Sequence, residues 1–436
     1  MTKSWGEALA VYADRRVMTL LFLGFSSGLP LLLVFSTLSV WLKFEGVSLT
    51  AIGLFSLVRT PYTFKFLWAP LVDRLPLPFL TRRFGRRRGW ALLAQVLLMA
   101  AIAAMAMTKP GIDPWWTALF AVIVAFASAT QDIVIDAYRV ESLKSDEQGA
   151  GAGVLVMGYR IGMLTAGAGA LWLAAILSWN EVYLVMAALV LIGVITVLVS
   201  KEPRPEELPE NPLQSGWGSW FSKAVVAPFA DFLTRPGWLL ILAFILFYKM
   251  GDAYLGVMAN PFYVEMGFST VEIANVSKIF GLGATIAGGL FGGLLVARFG
   301  LLPALLVCGI LQAASNLVFA WQATQGHDVG ALMITIATEN LTGGMATAAF
   351  VAYLSALCSL AYTATQYALL SSVMAVARDV LAASSGWLAD QVSWFDFFLI
   401  STGVALPGLL LLVIIIRRYP PPSHEDNSEG IIGKVD

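Results

Sequence analysis

Read along its length, the chain is a succession of apolar runs of about 20 residues parted by short polar turns. A helix that crosses a bilayer needs about 20 mostly apolar residues. By that length the pattern predicts twelve spans, near 17–42, 50–72, 90–108, 115–138, 150–177, 180–200, 237–263, 270–297, 301–322, 329–355, 362–389 and 394–416. The longest polar interruption, Lys201–Pro236, lies between the sixth and seventh and contains KEPRPEELPENP. Within it Trp217, Trp220, Phe221, Val225, Phe229 and Phe232 recur at helical spacing. That stripe suits a helix lying in the membrane interface, and equally a linker helix packed on the protein. The expected organisation is a six-helix bundle over 1–200, a cytoplasmic linker over 201–236, a second six-helix bundle over 237–417 and a tail over 418–436.

Composition strengthens the pattern. Charged residues make up 13% of the chain, against roughly 25% in soluble domains. The net charge of −1 gives no nucleic-acid footprint. Two histidines and two cysteines supply neither a metal cluster nor a hydrolytic site. No cofactor and no enzymatic activity are therefore expected, and the working unit is read as a monomer in the lipid bilayer.

Lysine and arginine placement sets the orientation. With both termini inside, 19 of the 27 fall in cytoplasmic segments, and only Lys43 and Lys109 face the other side. The remaining six, Arg59, Lys65, Arg160, Lys249, Lys278 and Arg378, lie within spans. The halves also echo each other. The second span ends in WAPLVDR and leads to FGRRRG, while the eighth ends in GGLLVARFG. The fourth carries SATQDIVIDAY, the tenth ATENLTGGMATAAFVAY. Two six-helix halves sharing a pattern suggest the major facilitator architecture, whose repeats rock about a central site. The fold class is thus an all-α membrane protein of twelve transmembrane helices in two six-helix bundles.

An ionisable group at bilayer depth costs roughly 2.5–3.5 kcal/mol on insertion scales, so such groups face water or one another. In a major facilitator, helices 1, 4, 7 and 10 line the cavity. The first span carries Ser27, Gly28 and Pro30, a pattern that serves either cavity exposure or close helix packing. The fourth carries Gln131, Asp132 and Asp136, with the two acids one turn apart on one face. The seventh carries Lys249 and Asp252 at pairing distance, and the tenth carries Glu339 and Asn340. Lys249–Asp252 and Arg378–Asp379 read as structural pairs or as substrate ligands. Asp132, Asp136 and Glu339 read as proton-coupling acids. A carboxyl in a poorly hydrated cavity can load and release a proton near neutral pH. Asp73 and Arg74, ahead of the run RRFGRRRG, form a degraded loop signature of this superfamily. With Arg378 they are the candidate gating residues.

Six stretches then fix the family: GFSSGLPLLL (Gly24–Leu33), IGLFSLV (Ile52–Val58), FKFLWAPLVDR (Phe64–Arg74), RRRGW (Arg86–Trp90), SATQDIVIDAY (Ser128–Tyr138) and EQGAGAGVLVMGYRIGML (Glu147–Leu164). In these the sequence resembles the AmpG muropeptide permeases of Gram-negative bacteria. The resemblance implies a proton-driven inner-membrane importer of GlcNAc–1,6-anhydro-MurNAc and its peptides, released during wall turnover. It also implies roles for Gly28, Gln131, Asp132, Asp136 and Arg160. Some members carry two further hydrophobic segments, whereas this chain has room for twelve spans. Ser27, Lys249, Asp252 and Asn340 complete the candidate substrate-binding set. The rival readings are a transporter of another anionic solute, such as acetyl-CoA, and a membrane enzyme or a non-transporting receptor.

Overall fold

The computed structural model describes residues 5–47, 55–203, 226–376 and 384–418. Among these, every regular element is a helix. Nine helices are long and apolar enough to cross a membrane. In chain order they are α1 (Arg15–Phe44), α3 (Arg86–Ala106), α4 (Pro114–Ser142), α5 (Gln148–Ala174), α6 (Trp179–Val199), α7 (Trp238–Glu265), α8 (Asn275–Phe299), α9 (Leu301–Ala323) and α12 (Trp394–Arg418). The other three predicted spans are not among the nine. α2 is a chain of short pieces, Phe55–Arg59, Thr60–Phe64, Lys65–Leu67 and Ala69–Arg74. α10 (Val329–Ala356) is one long helix whose apolar run is diluted by Thr335, Thr338, Glu339, Asn340 and Thr342. α11 comprises Thr363–Val376 and Ser384–Ala389. Gating candidate Arg378 and its neighbour Asp379 lie outside the described residues. So do most of the linker stripe and the tail from 419.

Two of the long helices are interrupted. Proline removes the hydrogen bond to the carbonyl four residues earlier. Pro30 thereby orphans the carbonyl of Ser26, and α1 breaks at Val34–Phe35. α7 breaks at Tyr248–Lys249, so the Lys249 side chain leaves from a gap between two helical pieces.

Small residues let helices approach closely. A Cβ on Gly24 would lie 2.2 Å from the Leu155 carbonyl oxygen, and one on Gly28 2.0 Å from that of Tyr159, so α1 and α5 pack backbone to backbone. Between the halves, α5 meets α8 the same way. A Cβ on Gly153 would lie 2.5 Å from the Gly289 carbonyl oxygen.

That crossing belongs to a seam joining the halves on the side that carries both termini. Asp73, fully buried at the end of α2, accepts from the backbone N–H groups of Ala364 (3.1 Å) and Thr365 (2.7 Å), and from the Thr365 hydroxyl (2.6 Å). A residue of the first half thus caps the N-terminus of α11 in the second. Arg87 donates to the same carboxylate at 2.7 Å and pairs with Glu141. Arg74 lies over the Tyr362 ring, 4.9 Å from its centre. Glu202 accepts from the backbone N–H groups of Arg87 and Arg88 at 2.8 and 3.1 Å, which caps α3. The arginine run therefore divides. Arg86, Arg87 and Arg88 are engaged inside the protein, while Arg82 and Arg83 are exposed.

Candidate functional site

Two charged centres stand between the halves. In the first, Asp132 and Asp136 project one turn apart from α4. The Ser27 hydroxyl of α1 donates to Asp132 Oδ1 at 2.6 Å. Lys65 of α2 reaches Asp136 Oδ2 at 3.7 Å and lies within electrostatic range of Asp132. Asp136 keeps 18% of its side chain exposed and Lys65 13%. Both are reachable without lying on an open surface.

In the second centre, Lys249 pairs with Asp252 at 3.2 Å and donates to Gln312 Oε1 of α9 at 3.1 Å. Glu339 of α10 accepts from Asn340 Nδ2 at 2.7 Å. Asn340 in turn accepts from the Thr285 hydroxyl of α8 at 2.6 Å, which fixes its amide. These groups converge on Gly343. A Cβ there would stand 3.8 Å from Gln312 Nε2, 3.9 Å from Asp252 Oδ1 and 4.0 Å from Glu339 Oε1. Arg160, from α5 of the first half, acts on Glu339 through charge, as do Lys249 and Asp252. Among the described residues, neither Asp132 nor Glu339 makes an ion pair within 4.0 Å, and Arg160 makes no described hydrogen bond or ion pair. An acid in that position can gain or lose a proton without dismantling a salt bridge.

The structure thus brings Ser27, Asp132 and Asp136 together, and separately Arg160, Lys249, Asp252, Glu339 and Asn340. Two candidates go elsewhere. Gln131 is fully buried. Its Nε2 donates to the Ser26 carbonyl at 2.9 Å, and its Oε1 accepts from the Ser26 hydroxyl at 2.9 Å. It satisfies the carbonyl that Pro30 orphans, so both ends of its amide are committed to packing. Gly28 is consumed by the α1–α5 contact and offers no surface to a ligand. Asn340 has its polar atoms engaged by Thr285, Glu339 and the Ile336 carbonyl, so it positions Glu339.

Sequence reading missed Gln312, Thr285, Arg139 and Ser355. Gln312 and Asn316, four apart in the apolar α9, were a usable signal, since polar groups within a span face protein. Arg139 gave none, because its position near a helix end fits the positive-inside pattern equally well.

Comparison with known proteins follows this geometry. The chain matches the Major Facilitator Superfamily profile over residues 20–288 and 250–433. The chain belongs to the major facilitator superfamily, in its AmpG permease family. It is 44% identical over 407 residues to the anhydromuropeptide permease of Escherichia coli K12, covering 93% of this chain and 80% of that one. It is 37% identical to the putative transporter AmpG 4 of Rickettsia conorii, covering 92% and 96%. Among solved structures, the proton:xylose symporter XylE shares the fold with a TM-score of 0.67 at 12% identity, covering 97% and 98%. The human organic anion transporter MFSD10 does so with 0.65 at 17% identity, covering 91% and 99%. The AmpG relationship and the absorbed charges make this a multi-pass membrane transporter rather than an enzyme.

Proposed function

We infer that this permease imports anhydromuropeptides, GlcNAc–1,6-anhydro-MurNAc and its peptide derivatives, together with protons across a bacterial inner membrane, for wall recycling. The observation that carries this reading is the pair of acids, Asp132 and Glu339, one in each half. Each is held by a neighbouring hydroxyl or amide, and neither has an ion-pair partner within 4.0 Å among the described residues. A proton bound there changes the charge of the site at little structural cost. A ligand shifts the two-state equilibrium only by its differential affinity for the two states.

The substrate side rests on Arg160 and Lys249. A muropeptide presents hydroxyls, amides and peptide carboxylates. Charge-assisted bonds from Arg160 suit a carboxylate, and Lys249 can exchange Asp252 for a second one. The 44% identical relative carries this substrate class in its name. The excess of Lys and Arg on the terminus side supports a cytoplasmic location for the termini. The seam then closes the cytoplasmic side, and substrate enters from the periplasm.

Uptake of radiolabelled GlcNAc–anhydro-MurNAc into energised vesicles tests the reading. Accumulation that a protonophore abolishes is the expected result. Facilitated exchange with no dependence on the gradient would remove the proton, and no exchange at all would remove the substrate.

A further inference from the structure

Arg139 near the end of α4 is wholly buried in the seam. Its Nη1 donates to Gln148 Oε1 of α5 at 3.0 Å and to the Ser355 hydroxyl of α10 at 2.7 Å. Its guanidinium lies over the Tyr367 ring of α11, 5.2 Å from the centre. One helix end of the first half is thereby tied to two helices of the second. Its Nε and Nη2 have no hydrogen-bond partner. The carboxylate that answers its charge is Asp136, whose Oδ1 lies 3.9 Å from Nη2.

We propose that Arg139 is the positioning residue through which Asp136, whose side chain stays partly exposed, holds the terminus-side seam shut. A buried guanidinium is tolerated while a carboxylate compensates it, and becomes strongly destabilising when that partner is lost. The groups facing Asp136 are Lys65 from α2, Asp132 and Arg139 from α4, Tyr367 from α11, and Cys358 beyond α10. When Asp136 takes up a proton, Lys65 keeps Asp132 within electrostatic range, whereas Arg139 keeps only hydroxyl, amide and ring contacts. Parting α4 from α10 and α11 returns Arg139 to water. A proton taken up by Asp136 therefore favours opening of the terminus side, which ties proton binding to the release of the seam as a symporter requires.

This rests on the proton-coupled reading above, and its test is kept independent of uptake. Spin labels at S145C and F299C, both exposed on the terminus side and one in each half, report the opening by distance. The native thiols are replaced by C308A and C358A. Measurements run without substrate or gradient, across pH. The unsubstituted seam is expected to be short at high pH and to lengthen as pH falls. D136N should be long throughout, R139Q short throughout, and D136N/R139Q short again. R139K, which keeps the charge, should retain the pH response. A D136N protein that tracks the parent, or a double variant as open as D136N, overturns the proposal. Protonophore-sensitive uptake with pH-independent distances sinks this inference alone, whereas protonophore-insensitive uptake sinks the reading beneath it.

Discussion

Each half carries one charged centre, yet the two are wired differently. The first runs from the Ser27 hydroxyl on Asp132, past Lys65, through Asp136 to Arg139 and so into the seam. The second, around Glu339, closes on itself. Asn340 and Thr285 fix the acid, and Lys249 shares itself between Asp252 and Gln312. The first centre reaches the seam through Arg139, and the second reaches Arg160 of the other half. An acid on α4 and an acid on α10 can therefore serve one carrier in different ways.

The contrast can be broken from the seam inward. Asp73→Ala removes the trans cap of α11 and one of the two carboxylates on Arg87. Loss of one partner from a buried network costs about 3–5 kcal/mol. The seam should loosen, read as a lengthened distance between the same two labels with little change in substrate affinity from the far side. Unchanged distances would mean that the seam does not depend on this cap.

Gln131→Leu comes next. It leaves the Ser26 carbonyl and hydroxyl unsatisfied in a buried place, at about 1–3 kcal/mol. Thermal stability in detergent should fall while KM stays put, because the amide serves packing. A large KM change with normal stability would return Gln131 to the substrate.

Arg160→Gln tests the second centre. An anchor for a peptide carboxylate should raise KM about tenfold for a peptide-bearing substrate, equivalent to about 1.4 kcal/mol. The sugar-only substrate should be affected less. Equal effects on both would place Arg160 elsewhere in the cycle.

The smallest effect lies at the surface. The Asp14 carboxyl, ahead of α1, is held below its usual range by the side-chain hydrogen bond from Arg16. A lowered folded value contributes stability above the unfolded pKa, lost as pH falls through the folded one. Both groups are partly exposed and screened by solvent, so Asp14→Asn should cost under about 1 kcal/mol and flatten the acid side of the stability curve slightly. A steep loss at neutral pH would contradict this.

Much of this was legible in the chain. Apolar run length gave the spans, because bilayer thickness leaves little freedom. Lys249–Asp252 was legible because helix periodicity puts residues three apart on one face. What escaped depends on contacts between distant segments. Asp73 meets Thr365 across 292 residues, and local sequence carries no sign of that. Gln131 reads as a binding amide until Pro30 is seen to orphan the carbonyl beside it. Arg139 reads as an inside charge until α10 and α11 close over it. Intramembrane polarity marks which residues matter, and only the packing tells which of them face substrate.

The most direct measurement compares gradient-driven uptake with equilibrium exchange in proteoliposomes bearing Asp132→Asn. Asparagine keeps the hydrogen bond from Ser27 and removes the titration. The expected result is loss of accumulation against a gradient, with counterflow of labelled anhydromuropeptide retained. Full accumulation by the Asp132→Asn protein would contradict the assignment of Asp132 as a coupling acid.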